Sequence, residues 1–218
     1  MDATIMIEGK PFHYNAEHLT VETNPEITFD QAKAVLFKAK ELLDRRGIKF
    51  GLVFGTLLGA IREHSFIPFD YDVDIYVADL PKLLHSIPEF DKEGLHLIRT
   101  SENHLYTFRY NDGAYIDMYI LRKAHFPMSL YCYDVGGCIM PKRFFNETKQ
   151  IDFLGGMFNI PKDAEGEMVF CYGKTWRTPI KGYEGNGDVF LARLYKRCKP
   201  TLQKIIGWKY WRHYFRKD

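Results

Sequence analysis

Cysteine and tryptophan are scarce, with four and three copies among 218 residues. Cys132, Cys138, Cys171 and Cys198 contain no CxxC pair, which argues against a disulfide framework and for reduced thiols. A zinc site built from Cys132, Cys138 and a distant His is the weaker alternative. No run of about 18 uncharged apolar residues is present, so no membrane-spanning helix is expected. The start, MDATIMIEGKPFHY, has an early acid and no basic segment leading into a long apolar stretch, so it does not read as a signal peptide. These absences lead to the expectation of a cytoplasmic location. Repeats and low-complexity tracts are also missing. What is present is enough apolar (46%) and aromatic (16%) side chain for one good-sized core, which excludes a disordered chain.

Charge is balanced overall, at +2, but not evenly spread. Nine basic residues and one acid fall between Arg193 and Asp218, leaving the body mildly acidic. The tail interleaves its cations with Trp208, Tyr210, Trp211, Tyr214 and Phe215. Such a mixture suits contact with an anionic membrane, at the inner face. A C-terminal helix packing its aromatics on the domain is the alternative. Nucleic acid is an unlikely partner for a chain with an acidic body.

Local signals divide the chain into an N-terminal arm (1–27), a central domain (28–192) and the basic aromatic tail (193–218). Thr28 followed by Gln31 reads as a capping box. Val35, Leu36, Ala39, Leu42 and Leu43 continue at helical spacing, and Gly47 fits the stop. IKFGLVF (48–54) reads as a buried strand, Thr56 to Arg62 as a helix, and Phe66 to Val77 as an extended segment and strand. A short helix is expected at Pro81–Phe90 and strands at 94–99, 105–110 and 115–121. IDFLGGMFNIP (151–161) has a hairpin pattern, and Asp163 to Tyr172 a helical one. Together these predict a single α+β domain.

The chemistry concentrates between Gly55 and Val77, GTLLGAIREHSFIPFDYDVDIYV. Asp70, Asp72 and Asp74 fall at every second position. In a strand, Asp72 and Asp74 share one face about 6–7 Å apart. Carboxylates this close repel unless a cation lies between them. Hard divalent ions with oxygen ligands suit the pair: Mg²⁺ first, Mn²⁺ as an alternative. A strand, a GTLLG turn into a helix, and then a D-x-D strand is the order of a nucleotidyltransferase-type site. There, Gly55, Thr56 and Gly59 bring backbone N–H groups to a phosphate. Asp117, inside the apolar run YIDMYIL (115–121), is the best third ligand, because a buried acid without a partner is costly. Its other reading is a buried acid matched by an arginine. Asp70 is either a helper ligand or a loop acid.

In these residues the chain resembles the LicD/fukutin group of phosphotransferases. That signature runs Gly-Thr-Leu-Leu-Gly, an Arg, then Phe-Ile-Pro-Trp-Asp-Asp-Asp-Ile-Asp, and here it stands as GTLLGAIR and FIPFDYDVDI. YIDMYIL and FLGGMFNIPKDAEGEMVFCYGKTWRTP (153–179) resemble later elements, so the likeness runs in order through residues 30–180. Phe69 replaces the usual Trp, and Tyr71 the middle acid of the triple.

The resemblance implies a nucleotidyltransferase-like mixed β-sheet flanked by helices. It also implies transfer of a phosphorylated alcohol from a CDP-activated donor to a glycan or glycolipid hydroxyl. Asp72, Asp74 and Asp117 are then catalytic metal ligands. Arg62 suits donor phosphate, because a guanidinium makes bidentate phosphate contacts. Arg109 and Lys174 are further candidates for binding substrate. Arg109 has a cross-strand ion pair as its alternative, and Trp176 is read as core. NMP transfer from an NTP, and a non-catalytic binding protein on the same fold, remain as other readings.

Overall fold

In the computed structural model, residues 1–19, 27–68, 72–101, 103–111 and 113–179 are described. The chain starts with a hairpin, β1 (Asp2–Ile7) and β2 (Lys10–Asn15). Its base is closed by the N-terminal amine on the Ala16 carbonyl at 2.9 Å. Glu17 N–H then donates to the Ile98 carbonyl (2.9 Å), fastening this arm to the domain.

The capping box forms as its residues predict. Thr28 Oγ accepts the Gln31 N–H (3.3 Å) and the Gln31 side chain accepts the Thr28 N–H (3.1 Å), opening α1 (Phe29–Arg45). One face of α1 buries Ala32, Val35, Leu36, Ala39, Leu42 and Leu43. Gly47, at φ +60, ends it in the left-handed region that favours glycine.

There follow β3 (Phe50–Leu52), α2 (Phe54–Arg62), β4 (Val73–Val77), α3 (Leu80–Lys92), β5 (Leu95–Ser101), β6 (Leu105–Tyr110) and β7 (Tyr115–Lys123). The strands lie in the order β3-β4-β7-β6-β5, with β4 and β7 parallel and the other neighbours antiparallel. This is the mixed sheet of the α+β expectation. α1 lies on it across β4 to β7, α2 packs on β4 and α3 on β5. Every residue of β4 is buried, so a carboxylate in that strand must find partners inside the protein.

β7 runs beyond the core sheet to pair with β8 (Cys132–Val135), which pairs with β9 (Cys138–Pro141). No local signal in the sequence marks this hairpin. Its short strands turn on Gly136 and Gly137, and Cys132 and Cys138 sit at opposite ends of it. One turn of helix, α4 (Arg143–Asn146), leads to β10 (Thr148–Phe153) and β11 (Gly156–Pro161). This hairpin, the predicted one, turns on Leu154 and Gly155, and Gly156 belongs to β11 rather than to the turn.

Met1–Ala164 form one compact unit, and a second begins at Glu165. The described part of the second contains most of α5 (Ala164–Tyr172), with Arg177 bonded to Glu165 at 2.5 Å and stacked on the Trp176 ring. Trp176 is buried. The tail from residue 193 lies outside the described residues. No described helix is long and apolar enough to cross a membrane.

Candidate active site

Parallel pairing of β4 with β7 puts Asp74 directly beside Asp117. Both carboxylates are buried. Asp72 stands one residue before β4 rather than inside it, so the D-x-D pair spans the entry to the strand. One oxygen from each of Asp72, Asp74 and Asp117 lies within 4.8 Å of the others. Oxygens on opposite sides of one Mg²⁺ stand about 4.2 Å apart, so small side-chain rotations bring this set onto an ion. Three hard oxygen donors at that spacing fit Mg²⁺. Asp70, the provisional helper, lies outside the described residues.

The glycine motif acts first on Asp74. Gly55 N–H, in the first turn of α2, donates to Asp74 Oδ2 at 3.0 Å. Asp74 N–H donates to Thr56 Oγ at 2.8 Å. The carboxylate and backbone of Asp74 are thus both fixed from α2, and a negative group at a helix N-terminus is stabilised by the aligned peptide dipoles. Phe54, just before, sits at φ +47, a strained conformation for an aromatic residue. Its ring meets Tyr119 edge to face at 4.9 Å, and this contact holds the turn in place.

Asp117 is held from the neighbouring strands β6 and β5. Thr107 Oγ donates to Asp117 Oδ1 at 2.5 Å, and Arg99 Nη2 reaches both carboxylate oxygens at 3.2 and 3.1 Å. Arg99 Nε also donates to Thr107 Oγ at 3.1 Å. The register makes this row: Arg99 on β5 faces Thr107 on β6, which faces Asp117 on β7. Burial raises the Asp117 carboxyl above the usual range, against the Thr107 hydroxyl and the Arg99 charge, which lower it. Asp117 thus stands in the acidic cluster and is at the same time an acid matched by an arginine. Tyr115 and Tyr119 flank it on β7. Burial raises both phenols, reinforced by the charges of Asp72, Asp74 and Asp117, so both stay neutral at physiological pH.

The other expected site residues are placed as follows. Gly59 is where the returning chain crosses α2: a Cβ there would stand 2.5 Å from the Ser65 carbonyl oxygen and 3.2 Å from Ile67 N. Its lack of a side chain permits that crossing just ahead of Asp72. Gly59→Ala is expected to cost about 1–3 kcal/mol of stability. Denaturant unfolding checks this, and an unchanged midpoint would contradict the crossing. Arg62 Nε bonds Glu63 at 2.6 Å. Arg109 grips Glu17 through Nε and Nη2, at 3.0 and 2.5 Å, and donates to the Gly113 carbonyl at 2.7 Å. Its predicted alternative, an ion pair, is what the structure contains, although the partner belongs to the N-terminal arm. Lys174 is exposed and belongs to the second unit. Arg99 and Thr107, the two residues that hold Asp117, carry no local signal in the sequence.

Residues 47–163 match the family described as LicD/FKTN/FKRP, nucleotidyltransferase domain. The chain is 26% identical over 193 residues to the human ribitol-5-phosphate transferase FKTN, covering 81% of this chain and 38% of that protein. It is 32% identical over 111 residues to an uncharacterized protein of Rickettsia typhi, covering 50% of this chain and 33% of that one. The chain thus spans well under half the length of these relatives. The crystal structure of the lincosamide antibiotic adenylyltransferase LnuA, with lincomycin bound, aligns over 67% of this chain and 87% of its own, with TM-score 0.47 and 12% identity. With more than half of its length matched to that domain, the chain belongs to the LicD/FKTN/FKRP family.

Proposed function

We propose that this chain transfers a phosphorylated alcohol from a CDP-activated donor to a hydroxyl of a glycan or glycolipid, releasing CMP. Phosphocholine, glycerol phosphate and ribitol phosphate are the kinds of group intended. The observation that carries the proposal is the convergence of Asp72, Asp74 and Asp117 in a domain of this family. Those three residues would hold Mg²⁺, or Mn²⁺ in its place. When bound, the ion neutralises charge on a pyrophosphate and on the departing CMP. The protein's part is positional. Gly55 and Thr56 fix Asp74, Arg99 and Thr107 fix Asp117, and the sheet register fixes the two acids against each other. In the proposal the first-turn N–H groups of α2, around Gly55 and Thr56, also receive donor phosphate, and Gly59 serves the same site by letting the returning chain cross the helix closely. Arg62, at the far end of α2, Arg109 and Lys174 are assigned to substrate on charge alone.

The test is product release. The chain is incubated with Mg²⁺, with CDP-choline, CDP-glycerol or CDP-ribitol, and separately with NTPs. Slow CMP release is expected without acceptor and faster release with a hydroxyl-bearing glycan, both abolished by EDTA. Pyrophosphate from an NTP, with no CMP from any CDP-alcohol, would replace this reading with nucleotidyl transfer.

A further inference from the structure

Four of the nine exposed large apolar side chains among the described residues crowd into the turn that joins β7 to β8, HFPMSLY (125–131). Phe126 is 77% exposed, Met128 40%, Leu130 57% and Tyr131 76%. Exposed apolar side chains clustered in one turn mark a contact surface. We propose that this turn is a docking knob for an anionic lipid surface.

Three features favour a bilayer as the occupant. The first is a backbone that satisfies itself. Ser129 N–H donates to the His125 carbonyl (2.9 Å), Leu130 N–H to Pro127 (3.2 Å) and Tyr131 N–H to Met128 (3.0 Å). The Tyr131 carbonyl accepts the Lys142 N–H at 2.9 Å, and Pro127 has no N–H to leave unpaired. A turn closed in this way enters the headgroup–acyl boundary without stranding these polar groups. The second is the side chains themselves, two aromatics beside two flexible aliphatics, which suit the boundary zone. The third is charge. Arg122 and Lys123 lead into the turn, while Lys142 lies just beyond the hairpin that follows it, next to Arg143, which faces Asp163 at 3.8 Å. The one acid between Leu121 and Asn146, Asp134, is buried and accepts the Gly137 N–H at 2.8 Å. Cations in the chain on both sides of an apolar tip match anionic lipid. The knob is independent of the reaction proposed above. Lys123 lies six residues along β7 from Asp117, about 20 Å at strand rise, so changes in the turn leave the acids untouched.

Sedimentation of the full chain with vesicles tests the knob. Phosphatidylcholine vesicles are compared with phosphatidylcholine–phosphatidylglycerol vesicles. Binding is expected to the anionic set, and the Phe126→Ser, Leu130→Ser, Tyr131→Ser triple variant should bind about tenfold or more weakly. Lys123→Glu with Lys142→Glu should lose binding to anionic vesicles, while Met6→Ser, an exposed apolar site on β1, should bind as the parent does. If the triple variant melts early, Phe126→Ser alone carries the comparison. Three results would each overturn the proposal: no binding by the parent chain; equal binding by parent and variants, which assigns the contact elsewhere, including the tail; and self-association of the parent that the triple variant abolishes without any vesicle binding, which makes the turn an interface between copies of this chain.

Discussion

Replacing Asp74 with Asn is expected to slow transfer by on the order of 10³-fold while the fold survives. The amide keeps the size of the carboxylate, its carbonyl oxygen still accepts the Gly55 N–H, and the main-chain bond from residue 74 to Thr56 is unaffected. What disappears is one of three charges aimed at a single point. Charge stabilisation of a phosphoryl-transfer transition state amounts to several kcal/mol, and about 4 kcal/mol corresponds to that factor. The accompanying stability change separates this role from a structural one. Without metal, three acids within 4.8 Å repel one another, so the Asn variant should melt no lower than the parent in EDTA. Added Mg²⁺ should raise the melting temperature of the parent through preferential binding to the folded state, and should do so far less for the variant. Full CMP release by Asp74→Asn, or an unchanged Mg²⁺ shift, would remove Asp74 from the site.

Much of this site is legible in the sequence because each signal is local. Thr28 and Gln31 are three residues apart, GTLLG and DVD lie within one short segment, and YIDMYIL announces a buried strand with an acid in it. A parallel partner for β4 then suffices to bring Asp74 to Asp117. What the sequence conceals is register. Arg99 faces Thr107 because β5 and β6 shift between Leu97 and Arg99, and a shift of one residue exchanges the two faces of a strand. Arg109, nearer Asp117 in the chain and on the adjoining strand, therefore looks the better candidate. Nothing local reveals that Glu17, 92 residues away, claims its guanidinium. The glycine motif is legible in place but not in its first duty. Its N–H and hydroxyl groups reach Asp74 only because α2 starts beside the entry to β4. The β8–β9 hairpin is too short, and too mixed in pattern, for period-two alternation to mark it.

Arg99→Met is the second variant with a large expected effect. Asp117 is buried, and the Arg99 guanidinium on both its oxygens is the positive charge at that carboxylate. Removing one partner of a buried pair typically costs about 3–5 kcal/mol. Because 34% of the Arg99 side chain still meets water, about 2–3 kcal/mol is the expectation here. Arg109→Met provides the comparison, since its acid partner Glu17 is 37% exposed where Asp117 is 4%, and its loss should cost about 1 kcal/mol or less. Two further measurements separate an electrostatic role for Arg99 from simple packing. Burial already raises the Asp117 carboxyl, and without Arg99 its folded-state value rises further while the unfolded value stays put. The folded variant therefore binds its proton more tightly than the unfolded chain does. Its deficit should be largest above the carboxylate range and shrink as the pH falls and Asp117 becomes neutral. Mg²⁺ should narrow the same deficit at neutral pH, because the ion supplies a positive charge at the orphaned carboxylate. A packing defect would respond to neither pH nor metal. A deficit constant across both would leave Arg99 as a spacer, with Thr107 alone orienting the acid.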